Sequence, residues 1–394
     1  MLTRSGWLVA LGAVATLVGG RLFGLAELFV VGGAMAVLPP AALGWVRLVE
    51  PRLGVERVVR PRHIQRGGSS RVDLHVVNRG HRLSPVLTLH DPVEGTRGVK
   101  LALARLAPES GRNASYRLPT GRRGRLRVGP LRAEVTDPFG LAQRRFVVAG
   151  TTSLTVFPTV ESLAGLPSGA GRDDPLAGLV RHATGIGADD FSTLRPYVVG
   201  DDLRRVHWVC TARTGDLLVR QDDERWQGHV TLLVDGRLDH IGAEGFEAAV
   251  SAAASLVHAI GRAGDRVRLL GTDGTDSGSV DAHGAGEQLL EHLAVAARHR
   301  RGTLPVIPSD GRSLTGSLIL LTGPSGSDVI ALAADARRTF ATVVVVRVVE
   351  EPTETWNPAP EPLPAGVELA VLGADEPFAP TWQTLLVRLA VGPR

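Results

Sequence analysis

The stretch "GWLVALGAVATLVGG", Gly6 to Gly20, contains no charged residue, and a second apolar run follows it from Leu22 to Trp45, broken only by Glu27 and the Pro39-Pro40 pair. An α-helix rises about 1.5 Å per residue and a bilayer's hydrocarbon layer is about 30 Å thick, so the second run is long enough to cross and the first is slightly short. Local thinning of the bilayer or snorkelling of flanking residues accommodates the first. The two runs predict a transmembrane hairpin over residues 1–48. A cleaved signal peptide is the alternative, since Arg4, an apolar stretch and "AVA" at Ala13 to Ala15 fit that pattern. Arginines flank the runs unequally: Arg4 lies before the first and Arg21 between them, while Arg47, Arg52, Arg57, Arg60 and Arg62 crowd the exit of the second. Because basic residues stay on the inner side, both ends of a hairpin and everything beyond it are expected in the cytoplasm, making the chain a multi-pass protein of the cell membrane.

Residues 49–160 read as an all-β sandwich. In "RVDLHVVNRG", Val72, Leu74 and Val76 alternate with Arg71, Asp73 and His75, a period of two that gives one buried and one wet face. "PVLTLHD", "RNASYRLPTGRRGRLRVGPL", "EVTDPFGLAQRRFVV" and "SLTVFP" repeat the rhythm between turns. The arginines Arg117, Arg122, Arg123, Arg125, Arg127 and Arg132 alternate with apolar residues as on the solvent face of a hairpin. No aromatics are interleaved to stack bases, so nucleic acid is not expected as a partner, whereas anionic lipid headgroups suit such a face.

Residues 161–228 form a linker and a signature segment. Ser162 to Phe191, rich in Gly, Ala, Asp and Pro, reads as a flexible connection, and its "GIGADD" lacks the leading strand and third glycine of a dinucleotide fingerprint. From 229 to 394 strands and helices alternate, beginning with "HVTLLVD" and "AEGFEAAVSAAASLVHAIGRAG". Such βα units imply a parallel sheet covered on both faces, with ligands bound beyond the carboxyl ends of the strands, here "VDGRLD" and "LTGPSG". The acidic, proline-rich "EEPTETWNPAPEPLPAG" reads as a surface loop.

Several chemistries lack their residues. Lys100 is the only lysine and lies in neither a Walker A loop nor a Schiff-base context, and the single Cys210 cannot form a disulfide within the chain. The histidines show no HExxH and no pairing at zinc spacing, and no G-x-S-x-G elbow occurs. Asp235 and Asp239 are the candidate metal ligands, but Arg237 between them would repel a cation or replace it in a salt bridge. No cofactor is implied.

The densest cluster of polar residues is "LRPYVVGDDLRRVHW". Leu203, Val206 and Cys210 fall at helical spacing, with Asp201 or Asp202 as the N-cap, and Arg204 and Trp208 are neighbours four residues apart. His207 lies beside them, but no nucleophile or second carboxylate is placed to act with it. The reading is an ion-paired clasp between domains or a docking face, followed by a turn at "RTGD" and an edge strand at "LLVRQ".

The full stretch "LRPYVVGDDLRRVHWVCTARTGDLLVRQ" resembles the signature of the domain-of-unknown-function 58 family, R-x-Y-x-x-G-D-x-x-R-x-x-x-W-x-x-(S/T)-A-R. The matching positions are Arg195, Tyr197, Gly200, Asp201, Arg204, Trp208, Thr211, Ala212 and Arg213; "DPFGL" and "VFP" match secondary patterns. The resemblance implies a bacterial membrane protein with a von Willebrand factor A-like domain over the α/β region and no established enzymatic activity. It also implies association with a MoxR-type AAA ATPase and a transglutaminase-like membrane protein. A domains that bind metal use D-x-S-x-S at the first strand end, and here Arg237 and Asp239 replace the serines. The expectation is a non-enzymatic scaffold anchored in the bilayer. The competing expectation is an unrecognised hydrolase or a metal-dependent ligand-binding receptor that uses the strand-end loops.

Overall fold

The computed structural model describes residues 1–49, 51–166, 193–196, 211–212, 217–221, 229–300, 302, 304–305, 307, 316–324, 327–350 and 364–391. It divides into two compact units, Met1–Phe157 and Pro158–Arg394.

In the first unit, α1 (Arg4–Phe23) and α2 (Ala26–Leu48) are both long and apolar enough to cross a membrane. Thr3 caps α1 by accepting from the Gly6 amide at 3.1 Å, and Gly24, at φ 67°, turns the chain back towards α2. The helices meet where side chains are small: a Cβ at Gly32 would crowd Thr16 and Leu17, and one at Gly12 would crowd Met35. Trp7, Leu8, Leu11, Val14, Val18 and Leu22 face outward, all more than half exposed. A helix in the core of a water-soluble domain would bury such residues, so their exposure suits a lipid surrounding.

Ten strands follow: β1 (Leu53–Arg60), β2 (His63–Gln65), β3 (Arg71–Asn78), β4 (Leu87–Asp91), β5 (Val99–Leu103), β6 (Gly111–Arg117), β7 (Gly124–Val128), β8 (Leu131–Thr136), β9 (Gln143–Ala149) and β10 (Thr152–Phe157). They form three sheets, β1-β3-β6, β2-β10-β7 and β5-β4-β8-β9, around one apolar core. The alternation works as expected, with Val72, Leu74 and Val76 buried and Arg71 and His75 exposed. Arg125 and Arg127 are likewise exposed on β7. Two expectations need correction. β7 and β8 are not a hairpin, because the chain passes at Gly129 (φ 100°) from one sheet to another. Arg57 is not a flanking surface charge: its side chain is 2 % exposed and pairs with Asp91 at 2.9 Å. Asp91 also accepts from the Tyr116 hydroxyl at 2.6 Å, and Arg57 donates to Gly150 and Thr152, so one ion pair ties four strands and a turn together. Burial, then the bond to Asp91, pushes the Tyr116 phenol well above its ordinary pKa.

In the second unit, β11 (Thr193–Pro196) and β12 (Leu218–Gln221) pair antiparallel. The α/β region contains β13 (His229–Val234), α3 (Ala243–Ala263), β14 (Arg266–Gly271), β15 (Val280–Asp281), α4 (Ala282–Val295), β16 (Ser317–Thr322), α5 (Ser327–Ala336), β17 (Thr342–Val349), β18 (Val367–Gly373) and α6 (Phe378–Val391). Its sheet runs β15-β14-β13-β16-β17-β18, parallel throughout except for the short β15 edge. Residues of one parity, such as Leu232, Ile319 and Val344, pack with α3, α4 and α6; those of the other, such as Leu233, Leu320 and Val345, pack with α5. Both faces of the central strands are therefore dry, which explains their uninterrupted apolar runs.

The stretch from Ser162, expected to be a flexible connection, begins as part of this core. Leu163 is 2 % exposed, and Arg262 donates to its carbonyl at 2.7 Å. Just before it, the Glu161 carboxylate accepts from the Phe378 and Ala379 amides at the start of α6, at 3.0 and 2.8 Å, and buried Trp382 donates to the Gly165 carbonyl at 2.8 Å. A carboxylate at a helix N-terminus satisfies orphan amides and meets the positive end of the helix dipole. "GIGADD" and residues 351–363 of the acidic loop lie outside the described residues.

Candidate functional site

β13 and β16 are neighbours in the sheet but their onward connections leave in opposite directions, so the crevice beyond their carboxyl ends is the topological switch point. Asp235 follows β13 directly and is fully buried; Thr322 ends β16; Thr272 follows β14. All three converge. Thr322 donates to Asp235 Oδ2 at 3.0 Å, and Thr272 reaches Asp235 Oδ1 at 3.4 Å while accepting from the Gly236 amide at 3.0 Å.

Arg237 fills the mouth of the crevice. Its Nε and Nη2 each lie 2.8 Å from one Asp235 oxygen, a bidentate fork, and its own amide adds a bond at 3.1 Å. The outer edge of the guanidinium is held by Asp328 at 2.5 and 3.2 Å. Asp328 stands in the first turn of α5, where the helix dipole favours a carboxylate, and it also accepts from the Val329 amide at 2.9 Å. Of the two fates open to Arg237, the structure realises the salt bridge.

The electrostatics follow from this geometry. Burial raises the pKa of Asp235, but the hydrogen bonds and charge of Arg237 outweigh it and hold the carboxyl below its ordinary range. The same opposition lowers Asp328, with a further contribution from His240. Arg237 is raised, chiefly by its bonds to Asp235. His240 Nδ1 is buried, makes no hydrogen bond, and sits 3.5 Å from Asp235 and 3.7 Å from Asp328. The loop carrying it is pinned by backbone bonds between Gly236 or Leu238 and His299. Gly323 allows β16 to approach this loop, since a side chain there would overlap the His240 carbonyl.

Beside the network is a mainly apolar cavity of about 110 Å³, with Thr272, Asp273, His292 and His299 among its lining residues. Thr272 joins it to Asp235, because the Thr272 hydroxyl is also 3.2 Å from His299 Nε2.

Of the residues predicted from sequence, Asp235 is at the centre of the site, whereas Asp239 is exposed in the next turn and takes no part in the network. The backbone of Arg195 lies in β11, paired with Val219, and Thr211 and Ala212 are helical. Tyr197, Gly200, Asp201, Arg204, His207, Trp208 and Arg213 lie outside the described residues, and so does the whole of the predicted clasp helix, Asp201 to Cys210. Asp328, Thr272, Thr322 and His240 were not legible as partners of Asp235. Only the placement of Asp328 at the start of a helical run, "SDVIALAADARR", hinted at an anion there.

Residues 193–305 match the family described as "Protein of unknown function DUF58", so the resemblance carried by the signature holds over that segment. No curated protein matches the chain. Among solved structures, the CARDB domain of the PF1109 protein from Pyrococcus furiosus is 18% identical, with 27% of this chain and 94% of that one covered and a TM-score of 0.22. The putative ApaA protein from Bordetella pertussis is 15% identical, with 27% and 97% covered and a TM-score of 0.19. Similarities this low carry no argument about function.

Proposed function

From the premise that residues 193–305 are a DUF58 segment, we propose that the chain is a non-enzymatic docking protein anchored in the cell membrane by α1 and α2, with its β-rich and α/β regions in the cytoplasm. The α/β region is read as a von Willebrand factor A-like domain, a reading supported by its strand order and its strand-end crevice. On that reading, the Arg237 guanidinium takes the position that metal-binding A domains give to an ion. One observation carries the reading: both oxygens of Asp235 are engaged by Arg237, with Thr272 and Thr322 completing the set. A carboxylate so satisfied is poorly suited to act as a base or to ligate a cation, and it fixes Arg237 and the half-exposed Asp328 as a rigid charged rim for a partner protein. The proposed partner is a MoxR-type AAA ATPase, with a transglutaminase-like membrane protein in the same assembly.

The test uses the full chain in detergent and a purified MoxR-type ATPase from the same organism. Saturable binding that is unaffected by chelators and weakened by Asp328→Lys at the rim supports docking. Magnesium or manganese binding with micromolar affinity, abolished in Asp235→Asn, would instead establish the metal-dependent receptor. Orientation is tested separately by a reporter fused after Arg394 that is active only in the cytoplasm.

A further inference from the structure

The loop between β8 and β9, "DPFGLA" at Asp137 to Ala142, is built against the open end of the helical hairpin. Thr3 donates from its hydroxyl to the Gly140 carbonyl at 2.6 Å and from its amide to the Leu141 carbonyl at 2.8 Å, while Leu2 and Ala142 form a β-bridge. Leu141 and Ala142 are buried against Ala42 and Val46 of α2, with Val9 of α1 packed on the same cluster. Gly6 admits the loop, because a Cβ there would overlap the Leu141 carbonyl. Val9 lies five residues into α1 and Ala42 six residues before the end of α2. At about 1.5 Å per residue, the loop therefore reaches about 8 Å along the helices.

Two further features distinguish it from an ordinary surface turn. Four of its amides are bonded within the loop: the buried Asp137 carboxylate accepts from the Phe139 and Ala142 amides at 2.9 and 2.5 Å, the Gly140 amide bonds to the Asp137 carbonyl at 3.0 Å, and the Asp137 amide bonds to the Ala142 carbonyl at 3.1 Å. Such closure is what non-helical backbone requires near hydrocarbon. At its tip, Phe139 is 73% exposed. Around the same end of the hairpin, Trp7 is exposed on the first turns of α1, and Arg4 and Arg47 are exposed beside the helix ends.

We propose that this loop is an interfacial anchor, with Phe139 seated among the upper acyl chains of a bilayer and Arg4 and Arg47 against anionic headgroups. The depth at which the loop meets the helices matches the roughly 5 to 10 Å layer in which interfacial residues lie, and an exposed phenylalanine at the loop tip together with an exposed tryptophan in the first turn of α1 has the composition of a membrane belt. The anchor fixes the β-rich region at the membrane surface instead of leaving it on a free tether. It rests on the reading of α1 and α2 as membrane-spanning.

The experiment keeps the two ideas apart. In the full chain with Cys210→Ser, single cysteines replace Phe139, Val14 at the middle of α1, or Ser115 on an exposed edge of the β-rich region. Each is labelled with a nitrobenzoxadiazole dye and reconstituted into phosphatidylcholine and phosphatidylglycerol vesicles whose lipids carry a nitroxide at an upper or a terminal acyl position. The expected result is severalfold stronger quenching at 139 by the upper than by the terminal nitroxide, strongest quenching at 14 by the terminal one, and little at 115. Quenching at 14 with position 139 behaving like 115 overturns the anchor and leaves the membrane reading standing. Lack of quenching at both 14 and 139 overturns the membrane reading and the anchor with it.

Discussion

Replacing Arg237 with alanine strands a carboxylate that has no access to water, and the cost can be bounded from two sides. Removing one member of a buried pair generally costs about 3–5 kcal/mol. Asp235 keeps the Thr322 and Thr272 hydroxyls, and Asp328 is 42% exposed and regains water, so the loss belongs near 3 kcal/mol. Protonation sets the ceiling. An isolated aspartate with an ordinary pKa of 3.8 can be neutralised at pH 7 for about 4 kcal/mol, at 1.36 kcal/mol per pH unit. At pH 5 that ceiling falls to about 1.6 kcal/mol, so the deficit of the variant should shrink on acidification. The wild type moves the other way. Its Asp235 pKa is depressed, so the ion pair stabilises fully above the unfolded value of 3.8 and is lost as pH falls below that value through the folded one. Scanning calorimetry of the full chain in detergent, with hydrogen exchange on β13 and β16 to assign the transition, measures both. The α/β transition should drop by about 6–12 °C at pH 7, at roughly 2–4 °C per kcal/mol for a unit of this size, and by clearly less at pH 5. Asp235→Asn combined with Arg237→Ala should recover part of the loss, since no charge remains buried. A deficit that stays constant from pH 7 to pH 5, or a double variant less stable than Arg237→Ala alone, would refute the reasoning.

Three further outcomes follow from other parts of the chain. Tyr116→Phe removes a hydroxyl bonded to buried Asp91 and should destabilise the β-rich unit by about 1.5–3 kcal/mol, measured as a lower unfolding midpoint in denaturant; no change would show that Arg57 alone satisfies Asp91. Glu161→Ala uncaps α6 at a cost of about 0.5–2 kcal/mol, and hydrogen exchange should accelerate first at the Phe378 and Ala379 amides; unchanged protection there would remove Glu161 from the role. Gly6→Ala forces a methyl group into the Leu141 carbonyl at a cost of about 1–3 kcal/mol, and limited proteolysis in detergent should then cut the Asp137–Ala142 loop faster than in wild type; equal cleavage rates would show that the contact is dispensable.

The elements were legible where a single period governs a stretch. β3 shows its faces through Val72, Leu74 and Val76, and the helical hairpin shows itself through length and lack of charge, because both signals come from neighbours in the chain. What failed was composition standing in for contact. Arg57, one of the five arginines crowding the exit of the second apolar run, looked like its neighbours but pairs with Asp91 of another sheet. The Gly-, Ala-, Asp- and Pro-rich stretch from Ser162 looked like a flexible connection, yet Leu163 near its start is buried in the α/β core. Likewise the "GRRGRLRVGPL" pattern has the alternation of a hairpin, but alternation states only which face is wet. It does not say which strand lies alongside, and Gly129 sends β8 into a different sheet.

The crevice shows the same limit at the level of a single residue. Asp235 and Arg237 are two positions apart, so their salt bridge was available to inspection as one of two outcomes. The choice between those outcomes lay 91 residues on, in Asp328, whose carboxylate holds the outer edge of the guanidinium. Without it, Arg237 would have one carboxylate partner and a freer side chain; with it, the guanidinium is fixed between two anions and its planar fork is aligned on both. Position explains why Asp239, an equally plausible ligand by spacing, is excluded: after Arg237 the chain turns, with the His240 and Ile241 amides bonding back to its carbonyl, and this turn directs His240 inward and leaves Asp239 outside. A loop that places an arginine and a histidine around a buried aspartate is organised about a permanent side-chain cation. Any ligand of this crevice must therefore either accept that cation at the rim or displace it at the cost of stranding Asp235.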